Sequence, residues 1–197
     1  MSHTPTIFTF PLRDASMRAV ATPVIVSLVL GLAARADAQS IPFSQHALVS
    51  QRVAYTDLTI EYNRPTARGR VLFGDSGSVV RVARSWNPGA DSATHLTVSR
   101  NVTIEGQPLK QGTYSIWLIP QASGPWTLIL NSAARVFHTP YPGERSDVLR
   151  VQVMPERGDH MEALAFYFPV VGRDSTVLRM HWGTTIIPVQ VRVSREP

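Results

Sequence analysis

The stretch of sequence that decides the fold class is Gly112-Thr113-Tyr114-Ser115-Ile116-Trp117-Leu118-Ile119-Pro120. In an extended strand, side chains two positions apart point to the same face. Tyr114, Ile116 and Leu118 therefore form one apolar row, whereas Trp117 points to the other face unless both faces are buried. The alternation predicts a central β-strand whose apolar row is buried in a core.

The same two-residue period recurs along the chain after residue 57, and little repeats at helical spacing. It predicts further strands over residues 58–63, 79–86, 94–98, 102–104, 126–131, 148–154, 161–168, 175–182 and 184–193. Glycine and proline turn signals separate these segments. About ten short strands in one domain predict an all-β fold, either an antiparallel two-layer sandwich or a jelly-roll-like barrel.

Three segments depart from this regular pattern. Residues 70–74 are the only place where a helical turn is expected. Pro188 has no N–H to donate to a ladder, so we expect its strand to lie at a sheet edge or to carry a bulge. Residues 131–147 form the longest segment without alternation, and long loops on β scaffolds often carry binding function.

The amino-terminal segment has the features of an export signal. Two arginines precede an apolar run, and Ala36-Asp37-Ala38 follows it as a small-x-small cleavage site. The run is too short for a spanning helix, so we expect no stable membrane insertion once it is cleaved. We predict that residues 1–38 are a signal peptide, with translation starting at Met1 or Met17. Residues 39–197 are predicted to be a single β-sandwich domain that is periplasmic or secreted.

Composition excludes several classes of function. The chain has no cysteine, so it forms no disulfides. Its net charge is only +5, and its basic residues do not form the clustered, aromatic-interleaved stripe that nucleic-acid binding requires. We therefore expect no nucleic-acid partner.

No established catalytic motif is present. Gly74-Asp75-Ser76-Gly77 resembles the nucleophile loop of trypsin-like proteases, with His46 and Asp57 in the right order before it. About 30 residues between histidine and serine are too few for the barrel that such proteases place there, so the segment is interpreted as a polar turn. No phosphate-binding loop or zinc-binding histidine pair occurs, and no metal or cofactor is expected.

A hydrolase remains an alternative that depends on strand pairing. His95, His138 or His181 would act with Asp147 or Asp159 if the fold brings such a pair together. The residue types alone, without their positions in the fold, do not decide which of these pairs would form.

The candidate ligand-binding residues are Arg64, Arg68, Arg70, Trp86 and Asp91. The three arginines are close together in a loop that turns at a proline and a glycine, and a guanidinium fork suits carboxylate, phosphate or sulfate groups. The alternative is structural, with the forks bonded to loop carbonyls or nearby acids.

The chain also resembles a bacterial family, the domain of unknown function twenty-nine eleven (DUF2911). The resemblance rests on Ile60-Glu61-Tyr62-Asn63-Arg64-Pro65, Arg68-Gly69-Arg70, Phe73-Gly74, Trp86, Gly89-Ala90, residues 112–120, Trp126-Thr127 and Asp147-Val148-Leu149-Arg150-Val151. It implies an exported, mostly β domain without an assigned activity. The chain departs from the family pattern at Asn87, where arginine is usual, and at Ser92, where an acidic residue is common.

Three hypotheses of function follow. The leading one is a non-enzymatic periplasmic or secreted β-sandwich that binds an envelope ligand or a small anionic ligand. The alternatives are the periplasmic hydrolase with a His/Asp pair and a structural, partner-binding domain of an envelope complex. A deep pocket with converging polar groups would favour an enzyme, whereas a shallow arginine and aromatic surface would favour binding.

Overall fold

A computed structural model of the protein describes residues 42–196. The signal peptide predicted over residues 1–38 lies outside the described residues. Within 42–196 the chain forms twelve strands and one short 3-10 helix, Glu144–Ser146. The strands are β1 (Gln45–Val53), β2 (Thr56–Arg64), β3 (Phe73–Gly74), β4 (Val80–Arg81), β5 (His95–Val98), β6 (Val102–Ile104), β7 (Gln107–Leu109), β8 (Gly112–Ile119), β9 (Trp126–Asn131), β10 (Asp147–Val153), β11 (Glu156–Val171) and β12 (Ser175–Val193).

The strands form two main antiparallel sheets. The six-stranded sheet has the order β1-β2-β5-β8-β9-β10, and the four-stranded sheet has the order β11-β12-β6-β7. Strands β3 and β4 form a small parallel pair. The predicted all-β fold is confirmed, and the open order of both main sheets fits the sandwich of the two expected architectures.

The core lies between the facing sides of the two sheets. The predicted row on β8 is confirmed, because Tyr114, Ile116 and Leu118 are 9%, 3% and 1% exposed. It packs with the apolar sides of β2, β5, β9 and β10 and against β11 and β12 of the other sheet. Trp117 points to the other side of the sheet and is also buried, at 1% exposed. Both faces of β8 are therefore covered.

Two predictions on either side of Gly74 are wrong. Residues 70–74 contain no helical turn, because the amides of Val79 and Val80 bond to the carbonyls of Val71 and Leu72 and hold this segment extended. The strand expected over 79–86 is reduced to β4, and Trp86 adds a single bridge to Leu118. Short-range pairing between the two segments replaces both predicted elements.

Strand β12 also differs from the expectation. The two strands predicted over 175–182 and 184–193 are one continuous strand, in which Gly183 has a positive φ of 58° that suits glycine. The strand is interior, so placing Pro188 on an edge strand is wrong. Pro188 lies between Ile186, which pairs with β11, and Val191, which pairs with β6, so neither ladder needs its missing N–H.

Among the described residues, no helix has the length and apolar character needed to cross a membrane.

Candidate ligand-binding cleft

A row of polar residues crosses the outer face of the six-stranded sheet. The strand register places Glu61 opposite His95, His95 opposite Ser115, Ser115 opposite Asn131, and Asn131 opposite Asp147. Directly opposed side chains in antiparallel strands lie on the same face and contact one another. We call the part of this face on β8, β9 and β10 the covered half, and the part on β1, β2 and β5 the open half.

The covered half is closed by the loop over residues 132–146. Trp117 packs edge-on against Tyr141 of this loop, with ring centroids 5.2 Å apart. The indole Nε1 of Trp117 donates to Ser115 Oγ at 2.9 Å, and that hydroxyl donates to the carbonyl of Ala133. A second, smaller buried layer therefore lies outside the main core.

Asn131 and Asp147 fasten the two ends of this loop. Asn131 Nδ2 donates to Gly143 O, Ser146 Oγ and Asp147 Oδ1, at 3.1, 3.0 and 2.8 Å. The Asp147 carboxylate also accepts from Tyr141 Oη at 2.6 Å and Arg150 Nη1 at 2.7 Å. Burial raises the pKa of Tyr141 above its usual range, and the hydrogen bond to Asp147 adds to the effect.

The middle of the same loop reaches across the sheet to the segment before β5. The amide of Ala93 donates to Val136 O at 2.9 Å, and both the amide and Nδ1 of His138 contact Asp91 O at 2.9 Å. Ser92 and Phe137 form an isolated bridge. The loop thus ends the covered half and forms a wall beside the open half.

Between this wall and the open half lies a cleft of about 480 Å³. Its polar and aromatic lining comprises His46 of β1, Glu61, Tyr62 and Asn63 of β2, Ser92 before β5, His95 of β5, and Arg135 and Phe137 of the loop. Such a volume falls within the range of small-molecule sites, about 300–1,000 Å³. By contrast, the void between the two sheets measures about 20 Å³, which is too small for any ligand.

His95 and Glu61 form the floor of the cleft. The His95 side chain is 12% exposed, and its Nδ1 lies 3.3 Å from Ala93 O. A carbonyl oxygen only accepts, so Nδ1 carries the hydrogen and Nε2 of a neutral ring is an acceptor. That Nε2 is buried without a hydrogen-bond partner and lies 3.6 Å from Glu61 Oε1. With a neutral imidazole, two acceptors therefore face each other at the floor.

Positively charged and titratable groups stand around the floor. Arg135 is exposed, and its guanidinium makes no hydrogen bond or ion pair within residues 42–196. His46 is exposed on β1. The Glu61 side chain is 35% exposed, so its carboxylate remains accessible from the cleft. The cleft thus combines a carboxylate floor with a guanidinium on its wall.

The three loop arginines predicted as ligand contacts lie outside this cleft. Arg64 Nε donates to Leu164 O at 2.9 Å, which connects β2 to β11. Arg70 bonds to the carbonyls of its own loop, through Nε to Ala67 O at 3.0 Å and through Nη2 to Thr66 O at 2.6 Å. The Arg68 guanidinium lies 5.0 Å from the centre of the Phe43 ring.

The other two predicted contacts also occupy separate places. Trp86 stacks on Trp182 with ring centroids 5.9 Å apart and lies edge-on to Phe73 at 5.5 Å, within an aromatic cluster that packs on the core. Asp91 lies beside the cleft, where its carbonyl accepts from His138. The structure therefore does not bring the five predicted residues together.

The histidine and aspartate pairs of the hydrolase alternative are not formed. His95 Nε2 lies 3.6 Å from the Glu61 carboxylate, and His138 bonds to the main chain of Asp91. His181 Nε2 lies 2.9 Å from the main-chain oxygen of Asp159, and Asp147 is engaged by Tyr141, Asn131 and Arg150. In the described part of the chain, no three His, Cys, Asp or Glu side chains converge as they would around a metal ion.

Sequence reasoning missed Glu61, His46 and Arg135. Glu61 and His95 occupy polar alternate positions of their strands, which signals an outward face but not which residues oppose each other. The register supplies that information. The two departures from the family pattern lie in different environments. Asn87 is buried and donates to Ile116 O at 2.7 Å, whereas Ser92 lines the cleft.

A family model described as "Protein of unknown function (DUF2911)" matches residues 44–191. A search of the curated proteins and a search of the solved structures each gave no match.

Proposed function

The chain belongs to the DUF2911 family, whose function is unknown, and we propose that it is a non-enzymatic binding protein that takes a small anionic ligand into the cleft. The observation that carries the proposal is the Arg135 guanidinium, which lines the cleft and has no protein partner within the described residues. Arginine binds carboxylate and phosphate groups through paired N–H donors.

The contrast with the loop arginines supports this choice. Arg64 and Arg70 already donate to main-chain oxygens, so part of each fork is used in holding the fold together. Arg135 is held on a loop that is fastened at Ala93 and Asp91, so its position is defined although its side chain is free. The Arg135 guanidinium therefore remains available to a ligand, whereas those of Arg64 and Arg70 are partly engaged.

We also propose that the protein works outside the cytoplasm. The support is the apolar run followed by Ala36-Asp37-Ala38, which is typical of a cleaved signal peptide. Mass spectrometry of the protein recovered from its native host should show an amino terminus at Gln39. A mature protein that retains residues 20–34 would refute the proposal of export.

Ligand binding is tested by comparing two arginines. Wild-type protein and the variants Arg135→Met and Arg68→Met are titrated with sulfate, phosphate and butanoate at low ionic strength, and amide chemical shifts are followed by NMR. Arg68 serves as the matched control because it is exposed and lies on the other candidate surface. We expect Arg135→Met to weaken binding by about tenfold, which corresponds to roughly 1.4 kcal/mol, and Arg68→Met to bind like the wild type.

Two results would contradict this assignment. If Arg68→Met loses affinity while Arg135→Met does not, the ligand site is the arginine loop. If no anion binds in an Arg135-dependent way, the protein is not an anion-binding protein of the kind proposed.

A further inference from the structure

The outer edge of β1 carries a row of main-chain groups that bond to nothing within residues 42–196. Asp57 of β2 donates its N–H to Ser99 Oγ at 2.8 Å and accepts the Ser99 N–H at 3.0 Å, so its main chain points away from β1. Arg52 opposes Asp57, and its main chain therefore points away from β2. The β1–β2 register has no shift, so the same holds for every second residue, Ser50, Leu48 and His46.

The other three edge strands of the main sheets each carry a feature that discourages pairing. The segment over residues 65–67 bonds to the outer edge of β11. Strand β7 has only three residues and contains Pro108, and β10 has a register shift near its start. Prolines, bulges, short strands and covering loops are the usual protections of a sheet edge. Strand β1 is nine residues long, contains no proline and pairs with β2 without a shift.

Exposed apolar side chains lie along the same edge. Leu48, in the middle of β1, is 59% exposed. Phe43 comes just before the strand and Tyr55 is in the turn after it, and they are 84% and 53% exposed. A regular, unprotected edge with exposed apolar residues along it is a surface for pairing with another strand.

We propose that β1 pairs antiparallel with β1 of a second copy of this chain, about a two-fold axis at Leu48. A two-fold interface uses the same patch on both copies, so the patch must match itself. The inference does not depend on the proposed function, because the pairing needs no ligand.

The sequence of β1 matches itself about Leu48. With the axis there, Leu48 faces Leu48 of the second copy, and Ala47 faces Val49 on the side of the core, on which both already pack. Phe43, five residues before the axis, reaches the position five residues after it, beside the turn that carries Tyr55 of the second copy. Each exposed apolar side chain along the edge thus lies against apolar groups of the other copy.

Neighbouring positions of the axis do not achieve this match. An axis at Ala47 places Leu48 opposite His46, and an axis at Val49 places it opposite Ser50. An axis one residue further on places Leu48 opposite Arg52. With the axis at Leu48, the basic Arg52 faces Ser44 and His46 faces Ser50, so no two like charges oppose each other.

The pairing also completes main-chain hydrogen bonds and extends the cleft. Leu48 with its copy, and His46 with Ser50, occupy positions that exchange two hydrogen bonds each. His46 lines the cleft, and directly opposed side chains lie on the same face. Ser50 of the second copy therefore adds to the β1 side of the cleft. Because a single strand pair is a small interface, the dimer should be weak and dependent on concentration.

Sedimentation velocity of the protein recovered from its native host measures the dimer. We expect the average mass to rise from one chain towards two between about 1 and about 500 µM. Leu48→Lys places two lysines opposite each other and should weaken dimerisation at least about tenfold. Val148→Lys is the matched control, because Val148 is 46% exposed on β10, the other edge of the same sheet. It should dimerise like the wild type.

A second pair of variants tests the main-chain bonds. Ser50→Pro and Ser50→Ala both lose the hydroxyl that lies 2.9 Å from Thr59 Oγ1, but only the proline removes the outward N–H. The bonds between β1 and β2 do not use that N–H, which makes the substitution compatible with the fold. Circular dichroism and urea denaturation at about 1 µM, where the chain is monomeric, check that both variants are folded. Ser50→Ala should dimerise like the wild type, and Ser50→Pro about tenfold more weakly.

Single cysteines locate the axis, since the chain has none of its own. In Leu48→Cys the two Cα atoms are about 5.5 Å apart, within the range of a disulfide. In His46→Cys the two cysteines are four residues apart along the strands, about 13 Å, which is out of reach. After mild oxidation at high protein concentration, a non-reducing gel should show a covalent dimer for Leu48→Cys and a monomer for His46→Cys.

Three results would overturn the proposal. A wild-type protein that stays monomeric up to about 500 µM has no such dimer. If Val148→Lys loses the dimer and Leu48→Lys keeps it, the copies meet at β10. Equal cross-linking of the two cysteine variants would exclude an axis at Leu48.

Discussion

One row of polar residues crosses the covered and open halves of the outer sheet face, but the hydrogen bonding of these residues differs between the halves. In the covered half, Ser115, Asn131 and Asp147 are all bonded to the loop over 132–146 or to its anchors. In the open half, Glu61 and His95 face each other without a donor. The same loop creates both conditions, because it closes one half and forms the wall of the cleft over the other.

This difference shows where the polar residues of the row bond within the fold and where they do not. Buried polar groups in folded proteins are nearly always hydrogen-bonded, and exceptions need an explanation. The covered half obeys this rule. Four buried polar atoms of the described residues lack a partner, namely Thr56 Oγ1, His95 Nε2, Arg179 Nε and Trp182 Nε1. Of these four residues, His95 is the one that lines the cleft, where the Arg135 guanidinium is also unengaged.

The largest effect should come from removing the centre of the covered half. Trp117→Ala removes a fully buried indole that packs on Tyr141 and bonds Ser115, and it should cost about 3–5 kcal/mol of the free energy of unfolding. Leu48→Ala is the control, because Leu48 opposes Glu61 in the open half and is 59% exposed. Urea denaturation should show a change within about 0.5 kcal/mol for Leu48→Ala. Equal costs for the two variants would show that the halves are not distinct.

A smaller effect is expected from unfastening the loop. Asn131→Ala removes three donated bonds and the bond that Asn131 Oδ1 accepts from the Ala133 amide. We expect a loss of about 2–3 kcal/mol and faster amide exchange over residues 132–146. Gln152→Ala, an exposed amide on β10, should cost less than about 0.5 kcal/mol. Unchanged exchange in the loop would mean that Asn131 does not hold it.

Alkaline pH tests the same half through Tyr141. Its pKa is raised in the folded state, so the neutral phenol is favoured by folding and its contribution is fully present below the ordinary tyrosine value of about 10. That contribution is lost as pH rises above this value, by at most about 1.4 kcal/mol per pH unit. Solvent screening limits the total loss, because the ring is partly exposed and screening reduces the pKa shift. The stability difference between wild type and Tyr141→Phe should therefore shrink above about pH 10. If the stability difference between the two proteins stays constant with pH, the Tyr141 hydroxyl does not stabilise the folded covered half.

Much of the fold follows from local alternation in the sequence. Leu58, Ile60 and Tyr62 on β2 and the row on β8 are buried as the two-residue period predicts. The pattern fails at residues 70–86, because the bonds that hold them join two neighbouring irregular segments. It also fails at Pro188, since a change of partner along one strand leaves no trace in the alternation.

The candidate site was less predictable than the fold. The arginine loop was conspicuous in sequence because its charges are close together, yet Arg64 and Arg70 bond to the main chain. Glu61, His95 and Arg135 are separated by dozens of residues and meet only through the β2–β5 register and the path of the loop. Long-range pairing of this kind is set by the whole fold and has no local signal.

The smallest effect is expected when a carboxylate at one end of the polar row is replaced by an amide, and the same replacement at the other end serves as the comparison. Glu61→Gln replaces a carboxylate with an amide that can donate to His95 Nε2, so the two facing acceptors become a donor and an acceptor. At about pH 8, where imidazole is ordinarily neutral, the free energy of unfolding should stay unchanged or rise by up to about 1 kcal/mol. At the other end, Asp147→Asn places an amide where the carboxylate accepts from Tyr141, Asn131 and Arg150, and it should cost about 1–3 kcal/mol. Thermal and urea unfolding of both variants show whether each substitution raises or lowers the free energy of unfolding. If Glu61→Gln destabilises the protein as much as Asp147→Asn does, then Glu61 is a structural acceptor like Asp147. The two ends of the polar row would then not differ.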